Sequence, residues 1–139
     1  MRDLRGFLEG AWRLRRRLED RRGGRCGRFD GAAVFAPAGG ELVYRERGVL
    51  RLGRYQGRAG RVYRYRFPAP GRADVAFEDG AAFHALDLGD GRCVVEHRCR
   101  DDIYRGRFHV AGPDAWQVVW LVAGPRKDQI LTAGYQRVA

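Results

Sequence analysis

Apolar and polar residues alternate along most of the chain. From Arg28 onward the alternation comes in runs of roughly six to ten residues separated by glycine-rich turns, the period-two signature of half-buried β-strands. Phe29, Gly31, Ala33 and Phe35 share one face, as do Leu42, Tyr44 and Glu46. Tyr63, Tyr65 and Phe67 share another, opposite Val62, Arg64 and Arg66. Val75 and Phe77 precede the turn Glu78-Asp79-Gly80, and the strand around Phe83 to Leu88 precedes Gly89-Asp90-Gly91, a hairpin signal. Cys93, Val95, His97 and Cys99 then align, followed by Tyr104, Gly106, Phe108 and Val110, by Trp116, Val118, Trp120 and Val122, and by Leu131, Ala133, Tyr135 and Arg137.

The N-terminal segment supports two patterns. Leu4, Phe7, Leu8, Ala11, Leu14 and Leu18 fit a helical stripe, whereas Leu8, Gly10, Trp12 and Leu14 alternate. Gly6 and Gly10 would each cost a helix roughly 1 kcal/mol relative to alanine. This favours a short helical turn over Asp3 to Phe7, then a strand from about Glu9 to Glu19 with Arg13, Arg15 and Arg17 outward. Many short, evenly spaced strands imply a sandwich or a barrel. Residues 1–139 therefore read as one all-β domain: a closed antiparallel up-and-down barrel of about ten strands with a short N-terminal helical turn.

Gly10-Ala11-Trp12 on the first strand and Tyr135-Gln136-Arg137 on the last resemble the closure signature of the calycin barrels (lipocalins and fatty-acid-binding proteins). The resemblance implies that Trp12 plugs one barrel end and that Arg137 packs across its ring. A guanidinium over a desolvated indole contributes about 2 kcal/mol. The whole chain also resembles a bacterial and fungal family of domains of unknown function, number 6314. That resemblance rests on Phe7-Leu8-Glu9-Gly10-Ala11-Trp12, Tyr44-Arg45-Glu46, Phe83-His84, the run His97 to Tyr104, and Trp120 through Gly124-Pro125-Arg126-Lys127-Asp128. It implies a calycin-like fold and no particular activity.

Composition narrows the function classes. The chain has no apolar run of about 18 residues, so no helical membrane span is expected, and the charged N-terminus lacks the features of a secretion signal. Three cysteines, Cys26, Cys93 and Cys99, without a C-x-x-C pair fit free thiols in a reducing compartment, and a cytoplasmic location is expected. The formal charge is +10, and Lys127 is the only lysine among 27 basic residues. A surface of this kind attracts phosphates, but an arginine-, glycine- and alanine-rich, lysine-poor chain is also what a GC-rich genome encodes. The arginines from Arg13 to Arg28 form the strongest case for nucleic acid. No helix-turn-helix, zinc-finger or RNA-recognition signature accompanies them.

His97, Cys99, Asp101, Asp102 and Tyr104 crowd into eight residues, and His97, Cys99 and Asp101 share a strand face. His84, on the preceding strand, is placed to join them. Three readings stay open: the polar end of a ligand cavity, a metal or haem site at His84 and His97 with Cys99, and a satisfied hydrogen-bond network of His97, Asp102 and Tyr104. The H-x-C spacing matches no standard metal site, so no cofactor is expected. A thiol enzyme using Cys99, a histidine and Asp102 is a further alternative, although neighbours two apart on one strand stand side by side rather than in triad geometry. The favoured reading is a binding barrel for a small, partly apolar molecule. Tyr44, Tyr65, Trp120 and Tyr135 would enclose the ligand, and His84, His97, Cys99, Asp102 and Tyr104 would orient it. Arg126 and Lys127 would sit at the mouth, and Gly10, Trp12 and Arg137 serve closure. A chain this aromatic is also able to fill a small barrel with its own side chains.

Overall fold

The computed structural model describes residues 1–139. A five-residue helix, α1 (Leu4–Leu8), leads into ten strands: β1 (Gly10–Asp20), β2 (Arg25–Ala38), β3 (Glu41–Leu52), β4 (Tyr55–Ala69), β5 (Arg72–Phe77), β6 (Ala82–Asp87), β7 (Arg92–Cys99), β8 (Asp102–Gly112), β9 (Ala115–Ala123) and β10 (Asp128–Arg137). They form one antiparallel sheet in the order β6-β5-β4-β3-β2-β1-β10-β9-β8-β7, rolled into a nearly closed barrel. The first and last strands are fully zipped, with Trp12 opposite Arg137, Leu14 opposite Tyr135 and Leu18 opposite Leu131.

The short N-terminal helix and the long first strand are as expected. Asp3 caps the helix by accepting from the Gly6 amide at 2.8 Å. Leu4 and Leu8 are buried beneath the barrel, where the helix acts as a plug. Gly10 then turns the chain into β1 at φ +118°, a conformation that favours glycine. The closure contact also forms. Trp12 is fully buried and donates its indole N–H to the Leu8 carbonyl at 2.8 Å. The Arg137 guanidinium lies 4.3 Å from the Trp12 ring centroid and 5.4 Å from that of Phe7. Its nitrogens donate to the Phe7 and Pro113 carbonyls and to Asp114.

One expected pairing does not form. The Gly89-Asp90-Gly91 turn is present, with the Gly91 amide donating to the Leu88 carbonyl at 2.9 Å, but β6 and β7 share no backbone ladder and the seam of the barrel runs between them. Two local features hold them apart. The Asp87 amide donates to the Cys93 thiol at 3.4 Å rather than to a backbone carbonyl. A bulge in β6 opposite Val75 and Ala76 leaves Phe83 unpaired, which turns both Phe83 and His84 inward.

The interior is filled at the helix end. Trp12, Phe35, Tyr44, Leu4, Leu8, Leu14 and Leu42 are all essentially inaccessible. Trp116 and Tyr135 stack with centroids 3.7 Å apart and planes 2° from parallel. The long strands β2 and β3 come close together where Gly31 pairs with Gly48. A Cβ on Gly48 would lie 2.3 Å from the Asp30 carbonyl oxygen and 2.8 Å from the Gly31 Cα. Only glycine allows two backbones to approach this closely.

If the Arg137 contact ties β1 to β10, Arg137→Ala lowers folding stability by about 2 kcal/mol. Urea unfolding is expected to show a lower midpoint at unchanged slope. A variant that unfolds at the wild-type midpoint would remove the cation from the closure argument.

Candidate functional site

Halfway up the barrel the packed interior meets a buried ion pair. Arg16 follows Trp12 and Leu14 on the inward face of β1, and Glu46 follows Leu42 and Tyr44 on that of β3. Their side chains bridge the intervening strand, where the inward residues Gly31 and Ala33 are small. Arg16 donates through both terminal nitrogens, at 2.7 Å to Oε2 and 2.9 Å to Oε1 of Glu46. The two side chains are 9% and 2% exposed. Oε1 also accepts from the Tyr44 hydroxyl at 2.5 Å, and that hydroxyl lies 2.7 Å from the Tyr135 hydroxyl. Arg61, directly opposite Glu46 on β4, approaches Oε2 at 3.4 Å and donates to the Tyr63 hydroxyl at 3.2 Å.

Burial raises the cost of charging Glu46, but the Arg16 bonds and the charges of Arg16 and Arg61 outweigh it and hold the carboxyl below its ordinary value. Burial likewise opposes the charge on Arg16, and the Glu46 bonds more than offset it. Desolvation pushes the Tyr44 hydroxyl well up and that of Tyr135 to about 12, so both stay protonated.

Above this floor the barrel is hollow. A cavity of about 490 Å³ is lined by Arg16, Leu18, Arg61, Tyr63, Phe77, Phe83, His97, Cys99, Tyr104, Trp120, Val122, Gln129 and Leu131. An annex of about 100 Å³ adjoins it at Arg16 and Arg61 and reaches Glu46. Phe83 stacks on Phe77 at 4.6 Å and on Trp120 at 5.3 Å, making a continuous aromatic wall across the seam. His97 stands edge-on to Phe83 at 5.1 Å. His84, beside Phe83, packs on Trp120 and Phe108 beneath the wall. Desolvation lowers its pKa to about 4, so it is neutral at physiological pH.

The residues singled out from sequence divide into three groups. His97, Cys99, Tyr104 and Trp120 line the cavity. Tyr44, Tyr65, His84 and Tyr135 lie outside this cavity and border a deeper void of about 30 Å³. Asp102 and Lys127 form an ion pair of 3.2 Å near the cavity rim, and Lys127 also donates to the Tyr104 hydroxyl at 3.3 Å. Asp102 thus engages Lys127 from the Gly124–Lys127 turn rather than His97, because its side chain points to that turn across the β8–β9 pairing. Arg126 is exposed, and Asp128 pairs with Arg21. Cys26, Cys93 and Cys99 are free thiols. No three His, Cys, Asp or Glu side chains converge in metal-binding geometry.

Arg16, Arg61, Phe83 and Gln129 are lining residues that pattern reading passed over. Parity identifies the two arginines, since Arg16 has the phase of Trp12 and Leu14, and Arg61 that of Tyr63 and Tyr65. Phe83 is inward only because of the bulge. The outward arginines of β1, β2 and β3 lie in cross-strand rows such as Arg17, Arg28 and Arg51. Tyr55 is the one exposed large aromatic side chain, so these rows lack the interleaved rings on which bases stack.

Glu46→Ala leaves a buried guanidinium without its counterion and is expected to cost about 3–5 kcal/mol, read by urea unfolding at neutral pH. His84 gives an independent pH signature. Its folded pKa lies below the unfolded value, so the unfolded chain gains a proton first and stability falls as pH drops from 6.5 towards about 4. His84→Gln should flatten this decline by on the order of 2 kcal/mol. An unchanged pH profile would show that His84 is solvated in the native protein.

The fold has counterparts among solved structures. The S-type phycobiliprotein lyase CPES from Guillardia theta superposes with a TM-score of 0.68 at 9% identity, covering 96% of this chain and 90% of that one. A de novo designed fluorescence-activating β-barrel gives 0.53 at 15% identity, covering 99% and 100%. EF1p2_mFAP2b bound to DFHBI gives 0.51 at 13% identity, covering 96% and 95%. At these identities the likeness is one of fold alone. No curated protein matches the chain. The model of the family of unknown function DUF6314 matches residues 8–137, nearly the whole length and both closure segments. The chain therefore belongs to DUF6314, with a calycin-like barrel as its fold.

Proposed function

We propose that the protein is a binding barrel that takes a small, partly apolar molecule into the hollow half of its interior. The observation that carries this reading is the division of the barrel. One half is packed with side chains, while the other keeps a cavity of about 490 Å³ walled by stacked rings and floored by charged groups. Sites for small molecules typically measure about 300–1,000 Å³ and combine apolar walls with a few fixed polar groups. The polar groups here are held before any ligand arrives, because Arg16 is locked by Glu46, and Tyr104 and Lys127 by each other and Asp102. Such preorganisation reduces the ordering cost of binding. The same architecture accommodates DFHBI in EF1p2_mFAP2b, which supports a small-molecule role for a barrel of this shape.

The test is a titration with Nile red, a neutral dye whose emission rises in apolar surroundings. Saturable one-to-one binding is expected. Leu131→Trp, which fills the cavity from β10, should weaken it at least tenfold, about 1.4 kcal/mol. Absence of saturable binding, or equal binding by the filled variant, would overturn the proposal.

A further inference from the structure

We infer that the ligand is a monoanion: a flat, unsaturated carboxylate whose charged end sits on Arg61 beside Arg16. The inference deepens the binding-barrel reading and rests on it.

The charge inventory of the cavity is unbalanced. Its lining holds two guanidiniums, Arg16 and Arg61, and no carboxylate. The one acid within reach, Glu46, lies in the annex below and is already shared. Oε1 accepts from Arg16 and Tyr44, and Oε2 accepts from Arg16, which leaves Arg61 only a long 3.4 Å approach. Arg61 otherwise donates from Nη1 to a neutral hydroxyl, that of Tyr63. Neither Lys127 nor His84 alters the balance. Lys127 is neutralised by Asp102, and burial keeps His84 uncharged above about pH 4. Two guanidiniums against one carboxylate leave a surplus of one positive charge, carried by Arg61, whose side chain is 45% exposed and borders the cavity with part of its donor set free.

A ligand carboxylate supplies the missing anion. The planar fork of arginine matches a carboxylate in shape, and charge-assisted bonds of this kind are the strong ones. One residual charge favours a carboxylate over a phosphate monoester, which carries nearly two at neutral pH. The body of the ligand follows from the walls. Six of the thirteen lining residues carry rings, and Phe77, Phe83 and Trp120 are fixed as one stack. Rigid aromatic faces and edges favour another flat π-system over a flexible alkyl chain.

The experiment compares three probes of one shape, 2-naphthoate, 2-naphthamide and 2-naphthylmethylammonium, by calorimetry at about pH 7.5 and low salt. The wild-type protein is expected to bind the carboxylate at least tenfold more tightly than the amide and to bind the ammonium most weakly. Arg61→Gln should bring the carboxylate-to-amide ratio close to one, and Arg61→Lys should restore most of it. Equal binding of carboxylate and amide by the wild-type protein overturns the monoanion assignment and leaves the binding barrel intact. So does a barrel that takes Nile red but none of the three probes. If Nile red also fails to bind, the binding-barrel reading itself is overturned.

Discussion

The Arg16–Glu46 pair is the constraint around which the barrel is organised. Two charges at 9% and 2% exposure are tolerable only when each satisfies the other, because dehydrating an unpaired ion costs several kcal/mol. Satisfying both fixes a good deal else. The Tyr44 hydroxyl must face Glu46, and the Tyr135 hydroxyl must face Tyr44. Tyr135 is then the partner on which Trp116 stacks. The polar plane is thus wired directly into the aromatic core beneath it. The interior changes character at this plane: below it the inward side chains pack together, and above it Leu18, Val122, Leu131 and the ring stack line a cavity. A pair of this kind adds little net stability compared with an apolar substitute. Its consequence here is architectural: it marks where packing stops.

The seam between β6 and β7 shows the same economy of backbone groups. A ten-stranded barrel needs every edge paired or covered. Here the first and last strands pair, and the unpaired edges fall instead on two short strands in mid-sequence. Side chains cover them: the Cys93 thiol accepts the Asp87 amide, and the bulge swings Phe83 and His84 inward across the gap. Because those rings pack against His97, Trp120 and Phe108, the seam is sealed by the same aromatic wall that lines the cavity. Closure of the barrel and shape of the site are one problem on this side of the molecule.

Most of the architecture was legible in the sequence, because it depends on period-two alternation. The strand faces containing Tyr63, Val95, Phe108 and Trp116 come out inward as expected, as does the Gly10–Trp12–Arg137 closure. What alternation cannot show is a break in its own phase. Phe83 and His84 are consecutive, so one of them appears outward until the bulge is known. The Gly89–Gly91 turn reads as an ordinary hairpin because nothing local reveals that a thiol replaces a carbonyl partner. The lining of the candidate site was legible in part. His97, Cys99, Tyr104 and Trp120 were found from polarity and parity. Arg16 was obscured by its neighbours: within Arg15-Arg16-Arg17 composition suggests one solvated run, whereas strand phase sends the central residue inside. The depth of Tyr44, Tyr65 and Tyr135 depends on how far each strand climbs before the cavity opens, which no single strand encodes.

Strand length finally gives the cavity a direction. β2, β3 and β4 run 14, 12 and 15 residues, whereas β5, β6 and β7 run 6, 6 and 8. The barrel wall is therefore high on one side and low on the other. On the high side Gly31 and Gly48 face each other across the β2–β3 ladder, where backbone–backbone approach excludes a Cβ. The low side ends in Phe77, Phe83 and His97, with Cys99 exposed at its lip. Charge is concentrated beneath the tall wall, and aromatic surface lies behind the low one. For the ligand proposed above, the guanidiniums and the ring stack are separate parts of one lining, so their placement assigns its charged end to Arg16 and Arg61 and its flat body to Phe77, Phe83 and Trp120.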